Sequence, residues 1–278
     1  MSQKTQRNEI TKKRVVYHLP AADAVRVDRG VEYRTTDAGV LTMDVYFPLD
    51  WKKEARRPVV IFVAGYSDVG FQRILGCKLK EMESYVSWGQ LMAASGLVAI
   101  TYSAVEPVID TEALLQYVRQ NAGSLGIDED RIGLWACSGS APNALSLLMH
   151  KNREYLKCAV LCYGVMMDLD GDTYTADSAQ QFGFVYPCQG KSVDDLPQDM
   201  PLFVVRAGKD EMPHLNDTLD RFVAKALSRN LPITFTNHAT APHAFDVMDD
   251  SETSRQIIRQ ILAFMQFHLL DKRIEPLQ

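Results

Sequence analysis

Residues 132–142 read IGLWACSGSAP and combine a short apolar run with a turn of small residues around Ser138. The apolar residues before the turn predict a strand, and the leucine-rich residues after it predict a helix. Ala136 and Ser140 are small, so strand and helix can approach closely and hold the Ser138 hydroxyl at the strand end. This is the context of a nucleophile elbow, although a serine in such a turn can also be a simple helix cap.

Similar apolar runs recur along the chain, with helical patterns between several of them. The predicted strands lie at 59–63, 98–102, 132–136, 159–163, 202–206 and 233–236. Strands that alternate with helices indicate a largely parallel sheet covered by helices on both faces. Before them, Val31–Thr35 and Val40–Phe47 predict a hairpin closed by the turn at 37–39. We therefore expect an α/β fold with an antiparallel N-terminal hairpin at one edge of the central sheet.

The chain divides into a polar lead-in, residues 1–30, and one α/β domain, residues 31–278. Within the domain, residues 166–200 are rich in Asp, Gly, Gln and Pro and show little periodicity. A connection of that length in a compact domain is usually functional. We expect a small cap or lid there, with a surface excursion as the alternative.

Composition excludes several classes of function. A net charge of −5 and a pI near 5.7 do not suit a nucleic-acid-binding surface. Five cysteines without disulfide-framework spacing indicate free thiols in a reducing compartment. The N-terminus lacks the apolar core of a signal peptide, and no run approaches the length of a membrane span. We expect a cytoplasmic protein without membrane contact, in which the C-terminal helix or an edge strand can support a homodimer.

Metal and nucleotide sites are not predicted. Residues 168–172, DLDGD, resemble part of a calcium loop but lack the later spacing and the bidentate Glu. No glycine-rich phosphate loop is present in the sequence. We expect neither a metal nor a cofactor.

A serine nucleophile needs a base, and the base needs an orienting carboxylate. Asp210 follows the strand at 202–206, at the sheet edge where α/β folds bind ligands. His243 lies between the last predicted strand and the last helix. Both positions fit the chain order of serine, acid and histidine in such folds. The alternatives are Glu211 and Asp168 for the acid, and His238 for the base.

From about residue 31 to 270 the chain resembles the dienelactone-hydrolase-like and carboxylesterase branch of the α/β-hydrolase superfamily. The resemblance rests on the hairpin, Pro58–Tyr66, the elbow, the acid loop at 208–210 and the base loop at 243–245. It implies Ser138 as nucleophile, Asp210 as acid and His243 as base. Dienelactone hydrolases proper use a cysteine nucleophile, whereas this chain has serine at that position. The neighbouring Cys137 is expected to point away from the site and to be inert.

An oxyanion hole is also expected. One donor is the backbone N–H of Gly139, the residue after the nucleophile. The second is assigned to the backbone N–H of Tyr66, in the loop after the strand at 59–63, with the Tyr66 phenol as the alternative. The His-Gly-Gly-Gly sequence that esterase relatives often carry in this loop is absent here.

The expected function is hydrolysis of a small-molecule carboxylic ester through an acyl-enzyme intermediate. Two alternatives remain: a serine peptidase or amidase of the same fold, and a non-catalytic hydrolase fold that serves as a binding module. The shape of the substrate pocket is expected to depend on the 166–200 segment and on Phe71 and Trp88, and substrate-binding residues are otherwise not assigned.

Overall fold

The computed structural model describes residues 7–37 and 39–270. Within them, eight strands form one sheet in the order β1-β2-β4-β3-β5-β6-β7-β8. β1 pairs with β2 and β2 with β4 in antiparallel fashion, and the remaining neighbours are parallel. The strands are β1 Arg26–Thr36, β2 Gly39–Phe47, β3 Arg57–Phe62, β4 Val98–Tyr102, β5 Ile127–Cys137, β6 Leu156–Cys162, β7 Leu202–Ala207 and β8 Ile233–His238.

Helices follow the strands and cover both faces of this sheet, as the alternating pattern predicts. The longest helices bury one apolar side each, and in the last helix that side includes Ile258, Ile261 and Met265. The helices are α1 Asp68–Leu75, α2 Glu83–Ala94, α3 Pro107–Gln120, α4 Ala122–Leu125, α5 Ala141–Leu148, α6 Tyr174–Phe182, α7 Leu215–Ser228, α8 Phe245–Met248 and α9 Glu252–Leu269. Among these described helices, none combines the length and apolar character of a membrane-spanning segment.

The predicted fold class is therefore confirmed, including the hairpin at the sheet edge. Two strands begin earlier than the apolar runs indicated. β1 starts at Arg26 rather than Val31, because its first residues pair with the end of β2, Arg26 opposite Phe47, despite their charged side chains. β5 likewise starts at Ile127. The hairpin turn contains Ala38, which lies outside the described residues.

The lead-in packs against the domain instead of running free of it. It contains two 3-10 turns, Glu9–Lys12 and Pro20–Ala24. Thr11 is fully buried, and the Val15 amide donates to Ser87 Oγ of α2 at 3.0 Å. The Val16 amide donates to the Asp246 carbonyl of α8 at 2.8 Å. Residues before β1 thus form part of the packed structure.

One buried ion pair ties the edge hairpin to the loop between α1 and α2. Lys80 Nζ lies 2.7 Å from Asp44 Oδ1, and both side chains are less than a tenth exposed. Asp44 also accepts from the Gly30 amide at 2.9 Å and from the exposed Arg29 at 3.5 Å. Because two buried charges neutralise each other here, removing one leaves the other uncompensated.

We predict that Lys80→Ala lowers the free energy of unfolding by about 3 kcal/mol, since it leaves the Asp44 carboxylate buried without its closest cation. Urea denaturation monitored by circular dichroism measures the change. Lys225→Ala, at an exposed position of α7, is the matched control and is expected to change stability by less than about 0.5 kcal/mol. Equal effects of the two substitutions would contradict the prediction.

Candidate active site

Ser138 lies at the junction of β5 and α5 with an unusual backbone. Its φ is 51°, a positive value that L-residues rarely adopt. Such a conformation costs about 1–3 kcal/mol and persists only where the surrounding structure enforces it, most often at functional sites. A 3-10 turn, Ser138–Ser140, leads into α5, which has Pro142 in its first turn. The sharp strand-to-helix turn expected of a nucleophile elbow is therefore present.

The loop after β3 packs directly on this elbow. A Cβ at Gly65 would lie 2.3 Å from the Gly139 carbonyl oxygen, too close for any side chain. The Gly65 amide donates to Ser140 Oγ at 3.0 Å. The sequence indicated only that Ser140 is small, whereas its hydroxyl is a hydrogen-bond acceptor between the two loops. Two backbone segments are thus held in contact around Ser138.

His243 and Asp210 come together at the ends of β8 and β7. His243 Nδ1 lies 2.6 Å from Asp210 Oδ2, while Asp210 Oδ1 accepts from the Met212 amide at 3.0 Å. The Asp210 side chain is fully buried and that of His243 is 31% exposed. A carboxylate at Nδ1 favours the tautomer with its proton there, which leaves Nε2 as the nitrogen available to accept a proton.

Ser138 and His243 line the same cavity. The structure describes both side chains and shows no hydrogen bond between them. Hydrogen bonds of catalytic groups are often longer in ligand-free proteins and tighten when a substrate binds. The geometry thus joins the candidate acid directly to the candidate base, and Ser138 lines the same cavity as His243.

The alternative acids and base have other surroundings. Asp168 accepts from the amides of Thr175 and Ala176 in the first turn of α6, and Glu211 is exposed. His238 is buried, and its Nε2 lies 3.0 Å from both Ser254 Oγ and Asp249 Oδ2. None of the three alternatives lines the cavity that contains Ser138.

Tyr66 packs against the elbow at Gly139 and lines the same cavity as Ser138. A Cβ at Gly139 would lie 2.5 Å from the Tyr66 hydroxyl oxygen and 2.6 Å from the Phe184 ring. The Tyr66 hydroxyl interacts with the Ser138 side chain, and burial raises the pKa of Tyr66 to about 12. The phenol therefore keeps its proton at neutral pH and can donate a hydrogen bond beside the elbow. Both the backbone and the phenol of Tyr66 remain candidate donors.

The cavity beside Ser138 has a volume of about 230 Å³ and mostly apolar walls. Phe71 and Trp88 line it, as expected. No residue from 166–200 does, although the structure describes all of them. That segment instead packs Phe184 against Tyr66, with ring centroids 6.0 Å apart, and the Val185 amide donates to the Gly65 carbonyl. It supports the loop after β3 from the opposite side.

Cys137 corrects one expectation. Its thiol does not point away from the site: the residue lines the cavity, with Sγ 3.5 Å from the Tyr85 hydroxyl. Burial raises the pKa of Cys137 to about 12, so the side chain stays a thiol at neutral pH. Low reactivity of this thiol stays a prediction, now because burial disfavours the thiolate rather than because the side chain lies away from the site.

Sequence reasoning missed a buried carboxylate in this cavity, Asp246. Trp88 Nε1 donates to Asp246 Oδ2 and the Tyr163 hydroxyl donates to Oδ1, both at 2.7 Å. The Tyr163 ring meets the His243 ring edge-on, with centroids 5.0 Å apart. Asp246 thereby holds an aromatic side chain against His243, and its burial raises its pKa. The sequence contains one indication of this group, which is that Asp246 lies three positions after His243.

Across residues 7–37 and 39–270, no three His, Cys, Asp or Glu side chains group closely enough to hold a metal ion. No family model and no curated protein sequence matches the chain.

Solved structures match over nearly the whole chain. Esterase 2 of Thermogutta terrifontis, phosphoramylated by tabun, is 17% identical with a TM-score of 0.63, covering 92% of this chain and 98% of that one. Its propionate-bound form is 18% identical with a TM-score of 0.64, covering 91% and 98%. Its form phosphorylated by paraoxon is 16% identical with a TM-score of 0.60, covering 92% and 98%. At this identity the likeness shows the fold alone, which is the α/β-hydrolase fold.

The contact between Gly65 and the elbow yields a stability prediction. Gly65→Ala places a methyl group against the Gly139 carbonyl and the Ser140 Cα, so the two loops have to separate. We expect the free energy of unfolding to fall by about 3 kcal/mol, the upper range for overpacking, because backbone atoms cannot rotate away. Urea denaturation tests this. Gly123→Ala in α4, where a Cβ would lie 3.6 Å from its nearest neighbour, is the control. Equal midpoints of the two variants would refute the account.

Asp68 at the start of α1 yields a prediction about pH. Burial raises the pKa of Asp68 from 3.8 to about 6, with Lys78 at 3.7 Å opposing the shift. The folded state therefore holds this proton to higher pH than the unfolded state. The resulting stabilisation, at most about 3 kcal/mol, is complete below pH 4 and is lost as the pH rises through 6.

The measurement is the free energy of unfolding between pH 4 and 7 for the wild type and for Asp68→Asn. The variant is expected to lack this decline, so the difference between the two proteins changes with pH. Asp199→Asn, at an exposed position, controls for the loss of a charge. A difference that stays constant across the range would show that Asp68 does not titrate there.

Proposed function

We propose that this protein is a serine hydrolase that cleaves carboxylic esters through Ser138, His243 and Asp210. The observation that carries the proposal is the convergence of three features on one cavity. Ser138 lines it with positive φ at a strand-to-helix turn, and His243 lines it with its Nδ1 bound to the buried Asp210 carboxylate. The same arrangement underlies nucleophilic serine catalysis on unrelated folds.

In the proposed first step, His243 Nε2 takes the proton of Ser138 as Oγ attacks the ester carbonyl carbon. The carbonyl π bond breaks, and its electron pair moves to oxygen to give a tetrahedral oxyanion. Asp210 keeps the imidazole in the required tautomer and stabilises the imidazolium that forms. Because Asp210 is fully buried, its charge acts on His243 with little screening by solvent.

The oxyanion is proposed to be bound by the Gly139 amide and by Tyr66. Fixed donors aimed at a developing charge usually make the largest single contribution to such catalysis. The position of the Tyr66 hydroxyl over Gly139 supports the phenol as donor, and the loop position of its backbone amide supports the alternative. Packing of Phe71 and Phe184 on the Tyr66 ring limits its movement in either case.

The intermediate then collapses. The C–O bond to the alcohol breaks, and the imidazolium gives its proton to the departing alcohol. Water enters, His243 removes its proton, and the hydroxide equivalent attacks the acyl carbon of the Ser138 ester. The second tetrahedral intermediate releases the acid and restores the serine hydroxyl. Each step uses only groups of the chain and water.

The nature of the substrate follows from the cavity and from the structural neighbours. Largely apolar walls suit an uncharged hydrocarbon group more than a phosphate or a sugar. The Thermogutta terrifontis esterase has been seen with propionate and butyrate bound and phosphorylated by paraoxon. We therefore propose small-molecule esters as substrates here, and membership of the dienelactone-hydrolase-like and carboxylesterase branch.

We predict that Ser138→Ala lowers kcat for p-nitrophenyl esters at least 1,000-fold, because removal of a triad nucleophile can cost about 10⁶ in kcat. Initial rates with acyl chains from acetate to decanoate provide the measurement. Ser228→Ala, at an exposed position at the end of α7, is the matched control and should retain full activity. Undiminished hydrolysis by Ser138→Ala would exclude this serine as the nucleophile.

Labelling with a fluorophosphonate separates the proposal from a binding module of the same fold. We expect the wild type to be labelled and Ser138→Ala to remain unlabelled. Parallel rates on p-nitroanilides distinguish esterase from amidase, since an amidase would cleave both leaving groups. A wild type that neither hydrolyses esters nor takes the label would overturn the proposed function.

A further inference from the structure

We propose that the N-terminal segment Asn8–Val16 forms a wall of the substrate cavity and that Ile10 sets the size of the apolar group the enzyme accepts. This inference rests on the proposed function and deepens it by identifying a specificity-determining residue. The segment belongs to residues 1–30, which the sequence predicts to be a polar lead-in.

The first supporting observation is the position of Ile10. The residue lies in the 3-10 turn Glu9–Lys12 and is one of the residues lining the cavity that contains Ser138 and His243. Leu79 and Met82, from the loop between α1 and α2, line the same space. The segment is distant from the triad in sequence, yet it borders the same cavity.

The second observation is how firmly the segment is held. The Asn8 amide donates to the Leu75 carbonyl at 3.0 Å, and the Val16 amide donates to the Asp246 carbonyl at 2.8 Å. Leu75 and Asp246 both line the cavity, so the hydrogen bonds attach the segment to the cavity walls themselves.

Further contacts fix the turn between these two ends. The buried Thr11 hydroxyl donates to the Asn8 carbonyl at 2.6 Å, and the Val15 amide donates to Ser87 Oγ on α2. Because the segment is anchored on both sides of Ile10, a change in this side chain alters the cavity without releasing the backbone.

The third observation is the size and chemistry of the space. A cavity of about 230 Å³ with apolar walls has room for a short hydrocarbon group. Within such a space the loss of three carbon atoms from one wall residue is a substantial fraction of the volume. Ile10 is half-buried rather than part of the central core, so its truncation leaves the sheet packing intact.

The apolar group that occupies the cavity can belong to the acid or to the alcohol of the ester. In both cases binding is favoured by moving this group from water into the apolar cavity. Each methylene moved from water into an apolar site favours binding by up to about fourfold. Enlarging the cavity therefore shifts preference towards longer groups, and filling it shifts preference towards shorter ones.

The experiment compares Ile10→Ala and Ile10→Trp with the wild type in two substrate series. One series varies the acyl chain of p-nitrophenyl esters from acetate to decanoate. The other varies the alcohol of acetate esters from methyl to octyl, followed by acid release. Each profile of kcat/KM is divided by its own value for the shortest substrate, which cancels any loss of folded protein. Thermal unfolding of each variant is recorded alongside.

We expect Ile10→Ala to move the optimum of one series towards longer chains by about two carbons, with up to about a fourfold gain per added methylene. Ile10→Trp is expected to depress the longer substrates of that series at least tenfold relative to the shortest. The series that responds identifies which half of the ester occupies the cavity. Ile74→Ala, an exposed isoleucine on α1 outside the cavity, is the matched control and should leave both profiles unchanged.

If hydrolysis requires Ser138 but both Ile10 variants keep the wild-type chain-length profiles, the proposed role of Ile10 is wrong and the proposed function stands. An equal shift of the profile in Ile74→Ala would also contradict the role of Ile10 without affecting the proposed function. Activity that survives in Ser138→Ala would instead remove the proposed function. If ester rates are too low to compare, labelling rates with fluorophosphonates of short and long alkyl chain replace them, and independence of Ile10 again rejects the wall.

Discussion

The contact between two backbone turns is the constraint on which the site depends. A Cβ at Gly65 after β3 would clash with the Gly139 carbonyl after β5, and a Cβ at Gly139 would clash with the Tyr66 and Phe184 side chains. β3 and β5 are hydrogen-bonded neighbours at the centre of the sheet, so their carboxyl ends bring the two loops together. The elbow is strained, and the packed neighbouring loop is what prevents its relaxation. The candidate nucleophile and the candidate oxyanion donors are thus positioned by the two central strands of the sheet.

The strand order of the sheet also explains the positions of Asp210 and His243. β7 and β8 are parallel continuations of the sheet beyond β6, so the loops carrying Asp210 and His243 open at the same edge. The two candidate donors, the candidate base and the candidate acid come from four separate loops. The sheet holds these four loops at the same edge. The same fold is found in an esterase that is only about 17% identical to this chain.

Much of this was predictable because its causes are local. Runs of buried β-branched residues predicted the parallel strands, and small residues around Ser138 predicted the turn. What could not be predicted depends on contacts between distant segments. The buried Asp246 network joins α8 to α2 through Trp88 and to the residue after β6 through Tyr163, with no periodic pattern to reveal it. The position of Ile10 also follows from tertiary packing. So does the position of 166–200, which packs on the loop after β3 and does not line the cavity.

Cys137 and Ser138 stand side by side at one cavity, and this adjacency has a chemical consequence. A free thiol is intrinsically the more acidic of the two groups and the better nucleophile once ionised. Here its surroundings suppress ionisation, while in the proposed mechanism the serine has a base within its own cavity. Chemoselectivity between adjacent nucleophiles is then governed by the location of the proton acceptor rather than by intrinsic acidity. Reagents that react with thiolates should therefore leave Cys137 unmodified. Electrophiles that need a general base should acylate or phosphorylate the Ser138 hydroxyl.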